Sequence, residues 1–235
     1  MSGAQVVPIF AYNDTKYLDD ILSKVNGVLF TGGGIEFNIK HRWTANADHI
    51  LKYAMESNKR GNPFPIWGTC LGFELLAYLT SGYDSNVLGK ISNETAVTNT
   101  IQILEKSYLY DGIPDNIRYN LQNGEGIVYF NHGYAVHTSY FKTSTKLKDF
   151  WSLTSISTSR SSQEFVSTLE AKSYPFYAVQ YHPEKNLFEW KVRAVRSDTG
   201  AEIVQILSNK FIDIARQNKN RFEYDEFKKL AIYNY

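Results

Sequence analysis

The segment Pro65-Ile66-Trp67-Gly68-Thr69-Cys70-Leu71-Gly72-Phe73-Glu74 constrains this chain more than any other. A short apolar run ends in Gly-x-Cys-x-Gly and passes directly into residues with helical spacing. That is the pattern of a nucleophile elbow with sulfur in place of the serine oxygen. Such a turn is sharp and its central residue is strained, so glycines flank it where a Cβ would clash. The sulfur then sits at a helix N-terminus, whose dipole favours thiolate over thiol. The Leu71 N–H has no helix partner and points where an oxyanion would form. Cys70 is the only cysteine, so an internal disulfide is excluded. A lone cysteine in a chain with histidines elsewhere is a candidate nucleophile. The plain alternative, a buried structural cysteine in a glycine turn, is disfavoured by the G-x-C-x-G context after an apolar strand.

Strand and helix patterns alternate through the first third of the chain. Val6 to Phe10 is expected as a strand, Asp14 to Lys24 as a helix, and Gly27 to Phe30 as a strand ending in Thr31-Gly32-Gly33-Gly34. Trp43 to Lys59 has helical spacing and stops at the breaker cluster Arg60-Gly61-Asn62-Pro63. Phe64 to Trp67 is a strand, and Cys70 to Leu79 a helix. This order argues for a parallel sheet wrapped by helices. The middle is β-rich at Ala96 to Leu104. Phe165 to Glu170 and Phe176 to Tyr181 are two strands a hairpin apart, and Ala201 to Gln217 is a long amphipathic helix. No Pro/Gly/Ser linker divides the 235 residues, so a single domain is expected.

Two further segments complete a catalytic set. In Tyr177-Ala178-Val179-Gln180-Tyr181-His182-Pro183-Glu184 an apolar strand delivers a histidine at its end. A cysteine nucleophile needs an imidazole within hydrogen-bond reach, and the imidazole needs an acceptor to orient it. His182 is the candidate base and Glu184 its orienter. The turn Thr31-Gly32-Gly33-Gly34 can aim a backbone N–H into the crevice at the carboxyl ends of the strands. Gly33 is taken as the second oxyanion donor, with Gly32 and Gly34 open. It is not a phosphate loop, because no Lys-Ser/Thr pair follows.

Composition narrows the function class. With 25 basic and 24 acidic residues the formal charge is +1, which gives no electrostatic reason to expect a nucleic-acid or membrane-surface partner. No apolar run approaches the ~18–20 residues of a membrane span, and no signal peptide is visible.

Together these motifs resemble the class I glutamine-amidotransferase-like superfamily and, within it, the γ-glutamyl hydrolases that act on folate poly-γ-glutamates. The matching strings are VNGVLFTGGG (25–34), PIWGTCLGFELL (65–76), KLKDFW (146–151), FVSTLEAKSYPFYAVQYHPEKNLFEW (165–190) and the late FIDIARQNKNRF. The G-T-C-L-G-F-E and Q-x-H-P-E-K-x-x-x-E-W strings match that family rather than biosynthetic amidotransferases. The resemblance implies an α/β fold: a Rossmann-like or flavodoxin-like three-layer sandwich with a mostly parallel central sheet and inserted β elements, as one domain over 1–235. It implies Cys70 as nucleophile, His182 as its partner and Glu184 as third member of a triad. Glu74 falls on a position tied to substrate recognition or site architecture, and His132 on a histidine near the substrate, so both are taken as substrate-binding. His137 has no counterpart, and His41 and His49 are read as solvated.

The implied reaction is hydrolysis of a γ-glutamyl amide through a thioester, as an omega-peptidase, with no metal or organic cofactor. The implied partners are a small-molecule poly-γ-glutamate and a second copy in a homodimer. The implied location is lysosomal, vacuolar or extracellular, with which the sequons Asn13-Asp14-Thr15 and Asn93-Glu94-Thr95 are compatible. Family members carry a further strand and helix ahead of the segment matching Gly3 to Pro8. The expectation is therefore a sheet with an unpaired edge. Two rival readings follow: a truncated relative that does not turn over, and a glutaminase that releases ammonia from glutamine.

Overall fold

The computed structural model describes residues 2–104, 107–124, 127–192 and 194–235. In chain order its elements run α1 (Thr15–Leu22), β1 (Val28–Phe30), α2 (Arg42–Lys59), β2 (Ile66–Thr69), α3 (Leu71–Thr80), β3 (Gly89–Lys90), β4 (Val97–Asn99) and β5 (Gln102–Ile103). They continue α4 (Asp115–Asn123), β6 (Val128–Phe130), β7 (Tyr134–Ala135), α5 (Thr138–Thr143), α6 (Thr145–Phe150), β8 (Trp151–Thr158) and β9 (Glu164–Ala171). The last are β10 (Phe176–Val179), α7 (Lys185–Phe188), α8 (Asp198–Ala215) and α9 (Tyr224–Leu230). Local chemistry starts several helices: Asp14 accepts from the Tyr17 N–H at the head of α1, and Ser197 accepts from the Gly200 N–H at the head of α8.

The main sheet has the order β1-β2-β10-β9-β8-β5. Side chains alternate between its two faces. Ile66, Phe176 and Ala178 join the core built with α1, α2 and α3, whereas Trp67, Tyr177 and Val179 join a second core with α4 and α8. The three-layer α/β sandwich is therefore present, with an apolar core on each side of the sheet.

The sheet is mixed rather than mostly parallel. Only the β1–β2 and β2–β10 ladders are parallel. From β10 outward the β10–β9, β9–β8 and β8–β5 ladders are antiparallel. The cause is connection length. The turn at 172–175 joins β9 to β10 and the turn at 159–163 joins β8 to β9, and links that short allow only antiparallel neighbours.

The strand expected at Val6 to Phe10 does not form. Pro8 carries no N–H for a ladder, Val6 and Phe10 are exposed, and the Val6 carbonyl accepts instead from the Ile232 N–H at 3.0 Å. As a result β1 is an edge strand, and Leu29 at its centre is 52% exposed. The unpaired edge expected from the sequence is thus a feature of this fold.

Strand β2 and helix α3 meet with no spare space. A Cβ on Gly68 would lie 2.6 Å from the Gly72 carbonyl oxygen, and a Cβ on Gly72 would lie 2.2 Å from the Phe30 carbonyl oxygen. Gly34 has nothing within 4 Å of its would-be Cβ. Gly72→Ala is expected to cost at least about 3 kcal/mol, or to prevent folding, because backbone of β1 must move. Gly34→Ala should stay within about 0.5 kcal/mol of wild type. Urea denaturation of the two variants checks both.

Candidate active site

Cys70 stands between β2 and α3 with φ 52° and ψ −104°, a left-handed backbone that a side-chain-bearing residue rarely adopts. Its N–H donates to the Val179 carbonyl at 2.9 Å, so the turn is tied to the end of β10. The neighbouring strand β10 leads three residues later into His182. The His182 N–H donates to the Tyr129 carbonyl at 2.8 Å, and the Tyr129 ring meets the imidazole edge-on at 6.2 Å between centroids. His182 Nδ1 lies 2.7 Å from Glu184 Oε1. A carboxylate only accepts, so Nδ1 is the donor of this pair, and in the neutral imidazole Nε2 has the lone pair. Among the described residues His182 Nε2 is buried without a partner.

Gly32 packs into the same corner. A Cβ there would lie 2.7 Å from His182 Cε1 and 3.6 Å from Cys70 Cβ. Gly33 lies against the Leu71 side chain, with a would-be Cβ 3.0 Å from Leu71 Cδ2. The glycine turn thus abuts Cys70, His182 and Leu71 at once. Any side chain at Gly32 would displace the imidazole.

The thiol's hydrogen-bond partner among the described residues is the Asn131 carbonyl, 3.9 Å from Sγ. Burial, with Glu74 adding to it, pushes the Cys70 thiol up to about 12, while the Leu71 N–H acts the other way. The helix terminus does favour thiolate, through the Leu71 N–H, but burial prevails in the resting site. Removing the sulfur from water outweighs one helix terminus.

Glu74 lies one turn into α3, buried, and accepts from Gln180 Nε2 at 2.9 Å. Burial raises its carboxyl to about 7, with the Gln180 bond opposing. It is part of the site's interior wall rather than an open cleft residue. His132 follows β6. Its Nδ1 is 2.9 Å from the Tyr134 carbonyl, which can only accept, so its Nε2 is also an unprotonated acceptor, buried and unpartnered. Burial lowers His132 to about 4, and the nearby His182 adds to the drop. The His132 N–H donates to the Glu94 carbonyl, which braces this loop.

Cys70, His182, Glu184, Leu71 and Gly33 thus share one corner, with Glu74 and His132 buried at its back. Gln180, Asn131 and Tyr129 take part without having been singled out in the sequence. Gln180 had a visible signal, a lone amide inside an apolar strand. The others act through backbone carbonyls, which sequence does not mark. His137 caps α5 and lies 3.2 Å from the Lys90 carbonyl. His49 pairs with Asp19, and His41 is exposed at the head of α2. Among the described residues no cluster of three His, Cys, Asp or Glu side chains could hold a metal ion, and no helix is long and apolar enough to cross a membrane.

Glu74 yields a pH prediction. Its carboxyl moves from 4.5 to about 7 on folding. Its protonated form therefore contributes stability that is complete below about pH 4.5 and lost as pH rises through 7, by about 3 kcal/mol. Glu74→Gln should remove this loss, so the variant gains about that much on wild type between pH 5 and pH 8. Urea denaturation of both proteins across that range measures the difference, in which the His132 contribution cancels. The same variant should alkylate faster at Cys70, since one charge opposing the thiolate is gone.

Comparisons with known proteins show the family. The family model for Glutamine amidotransferase class-I matches residues 3–198. "Gamma-glutamyl hydrolase B" of Dictyostelium discoideum is 32% identical over 100% of this chain and 68% of its own length. "Gamma-glutamyl hydrolase" of Rattus norvegicus is 34% identical over 94% of this chain and 70% of its own. The Bos taurus "Gamma-glutamyl hydrolase" is 30% identical over 100% of this chain and 74% of its own. On these matches, the chain belongs to the γ-glutamyl hydrolase family of the class I glutamine amidotransferases.

Proposed function

We propose that this protein hydrolyses γ-glutamyl amide bonds of folyl or other poly-γ-glutamates, with Cys70 as nucleophile. The observation that carries this is Cys70, held at φ 52° on a strand–helix turn, sharing Gly32 as a neighbour with an imidazole whose Nδ1 is fixed on Glu184.

The resting thiol is neutral, so attack needs a proton acceptor. His182 Nε2 takes the Sγ proton as sulfur bonds to the γ-carbonyl carbon, and Glu184 holds the imidazolium that forms. The tetrahedral oxyanion is met by the N–H groups of Leu71 and Gly33, each worth about 3 kcal/mol of barrier. His182 returns the proton to the nitrogen of the departing glutamate as the C–N bond breaks. Water, deprotonated by His182, then attacks the thioester and releases the γ-carboxylate and the thiol. The neutral His132 Nε2 offers a substrate N–H an acceptor. Glu74 serves the site from behind, through Gln180.

The names of the relatives favour this reading over glutamine hydrolysis. Purified protein should shorten a folate poly-γ-glutamate without releasing ammonia. Cys70→Ala and His182→Ala should each lose at least about a thousandfold in kcat/KM, and Glu184→Gln about ten- to a hundredfold. Ammonia from free glutamine would favour the glutaminase reading. A folded chain with no turnover of either substrate would favour the inactive one.

The protein is further read as a homodimer of the secretory route, lysosomal, vacuolar or extracellular. Asn93 is exposed in a turn, whereas Asn13 is half-buried and its carbonyl accepts from Asn46. Expression in a glycosylating host should place a glycan on Asn93, seen as a glycosidase-sensitive mobility shift that Asn93→Gln removes. Absence of the shift would count against this route.

A further inference from the structure

The string that separates this chain from the amidotransferases ends in Phe188-Glu189-Trp190, yet catalysis as described uses only His182 and Glu184. The rest of the string forms α7 and the loop that returns to α8. This segment is firmly built. Asn186, buried in α7, donates from Nδ2 to the carbonyls of Ile127 at 2.6 Å and Val195 at 3.0 Å, tying the loop to the start of β6. Arg196 donates to the carbonyls of Glu189, Val192 and Ala194. Its guanidinium also lies 4.6 Å from the centre of the Trp190 ring.

The scaffold presents aromatic surface outward. Trp190 is 76% exposed and Phe188 63% exposed. Tryptophan is ordinarily among the more buried side chains, so an ordered loop that holds one in solvent is a feature to explain. Lys185, which pairs with Glu189 at 3.7 Å, and Lys191 flank it, and among the described residues Lys191 has no acidic partner within salt-bridge distance. The platform borders the site, because Glu184 caps α7, and four helical and two further residues carry Trp190 no more than about 14 Å from it. The charges of Glu184 and Lys185 both act on the Cys70 sulfur.

We propose that Trp190, with Phe188 beside it and Arg196 behind it, is a specificity subsite that stacks a planar aromatic group carried on a γ-glutamyl substrate. The inference rests on the γ-glutamyl hydrolase reading. Charge supports a substrate as the occupant: a γ-glutamyl chain bears a free α-carboxylate on each residue, which Lys185 and Lys191 complement. Stacking on Trp190 contributes to binding alone, since the group lies away from the scissile bond.

The test compares two γ-glutamyl oligomers of equal length, one with an N-benzoyl cap and one with an N-acetyl cap. Trp190→Ala should raise KM for the benzoyl substrate about five- to tenfold, with kcat within twofold and the acetyl substrate unaffected. Trp190→Phe should restore most of the discrimination. Equal effects on both substrates, or none on either, would overturn the subsite. Equilibrium dialysis against Cys70→Ala, with and without Trp190→Ala, reads the same preference without turnover. Cap-dependent binding lost with Trp190 supports the subsite even if wild type cleaves neither oligomer, an outcome that would fail the hydrolase reading alone. Light scattering that shows Trp190→Ala splitting a dimer, with cap preference unchanged, would make the face a contact between copies and overturn the proposal.

Discussion

The contact between Gly72 and the Phe30 carbonyl is the constraint from which the rest of this site follows. It lets α3 descend onto β1 with no side chain between them, and Gly68 lets the chain turn back over Gly72 in the same way. Only with both approaches open can Cys70 sit at φ 52°, proud of the sheet and at the head of the helix. The same closeness brings the loop after β1 to the elbow, so Gly32 and Gly33 reach His182 and Leu71. Strand β10, parallel to β2 and bonded to Cys70 through Val179, delivers the imidazole from the other side. Three strands side by side thus bring Gly33, Cys70 and His182 together at their carboxyl ends.

Electrostatics then set how the site waits. Several polar atoms here are buried without partners, among them His132 Nε2, His182 Nε2 and Gln180 Oε1. Each is costly to leave unmatched, and each is an acceptor. Such a site is primed for a ligand that brings N–H or O–H donors. The thiol held near 12 by burial and by Glu74 fits the same picture. Charge is created only when the sulfur's proton has an imidazole to go to and an oxyanion has N–H groups to meet.

Much of this was legible in the sequence because it rests on local rules. The elbow, its two glycines, the H-P-E pair and the helices carry their signals within a few residues, and helices α1, α2, α3 and α8 lie within a few residues of their expected bounds. What was not legible is non-local. The mixed sheet depends on which strands neighbour one another, although the hairpin at 172–175 already required one antiparallel pair. Val6 to Phe10 has a strand's composition but for Pro8, and its Val6 carbonyl is taken by the distant Ile232 N–H instead of a ladder. The balance at Cys70 was not legible, because the helix terminus that favours thiolate is visible in sequence while the burial that outweighs it is not.

The most direct test is to catch the bond that the site is built to form. Rapid acid quench during turnover of a γ-glutamyl oligomer, followed by peptide mass spectrometry, should find a γ-glutamyl adduct on the peptide that contains Cys70, labile to hydroxylamine as a thioester is. Turnover with no adduct at any time, or an adduct on another residue, would contradict the assignment of Cys70 as the nucleophile.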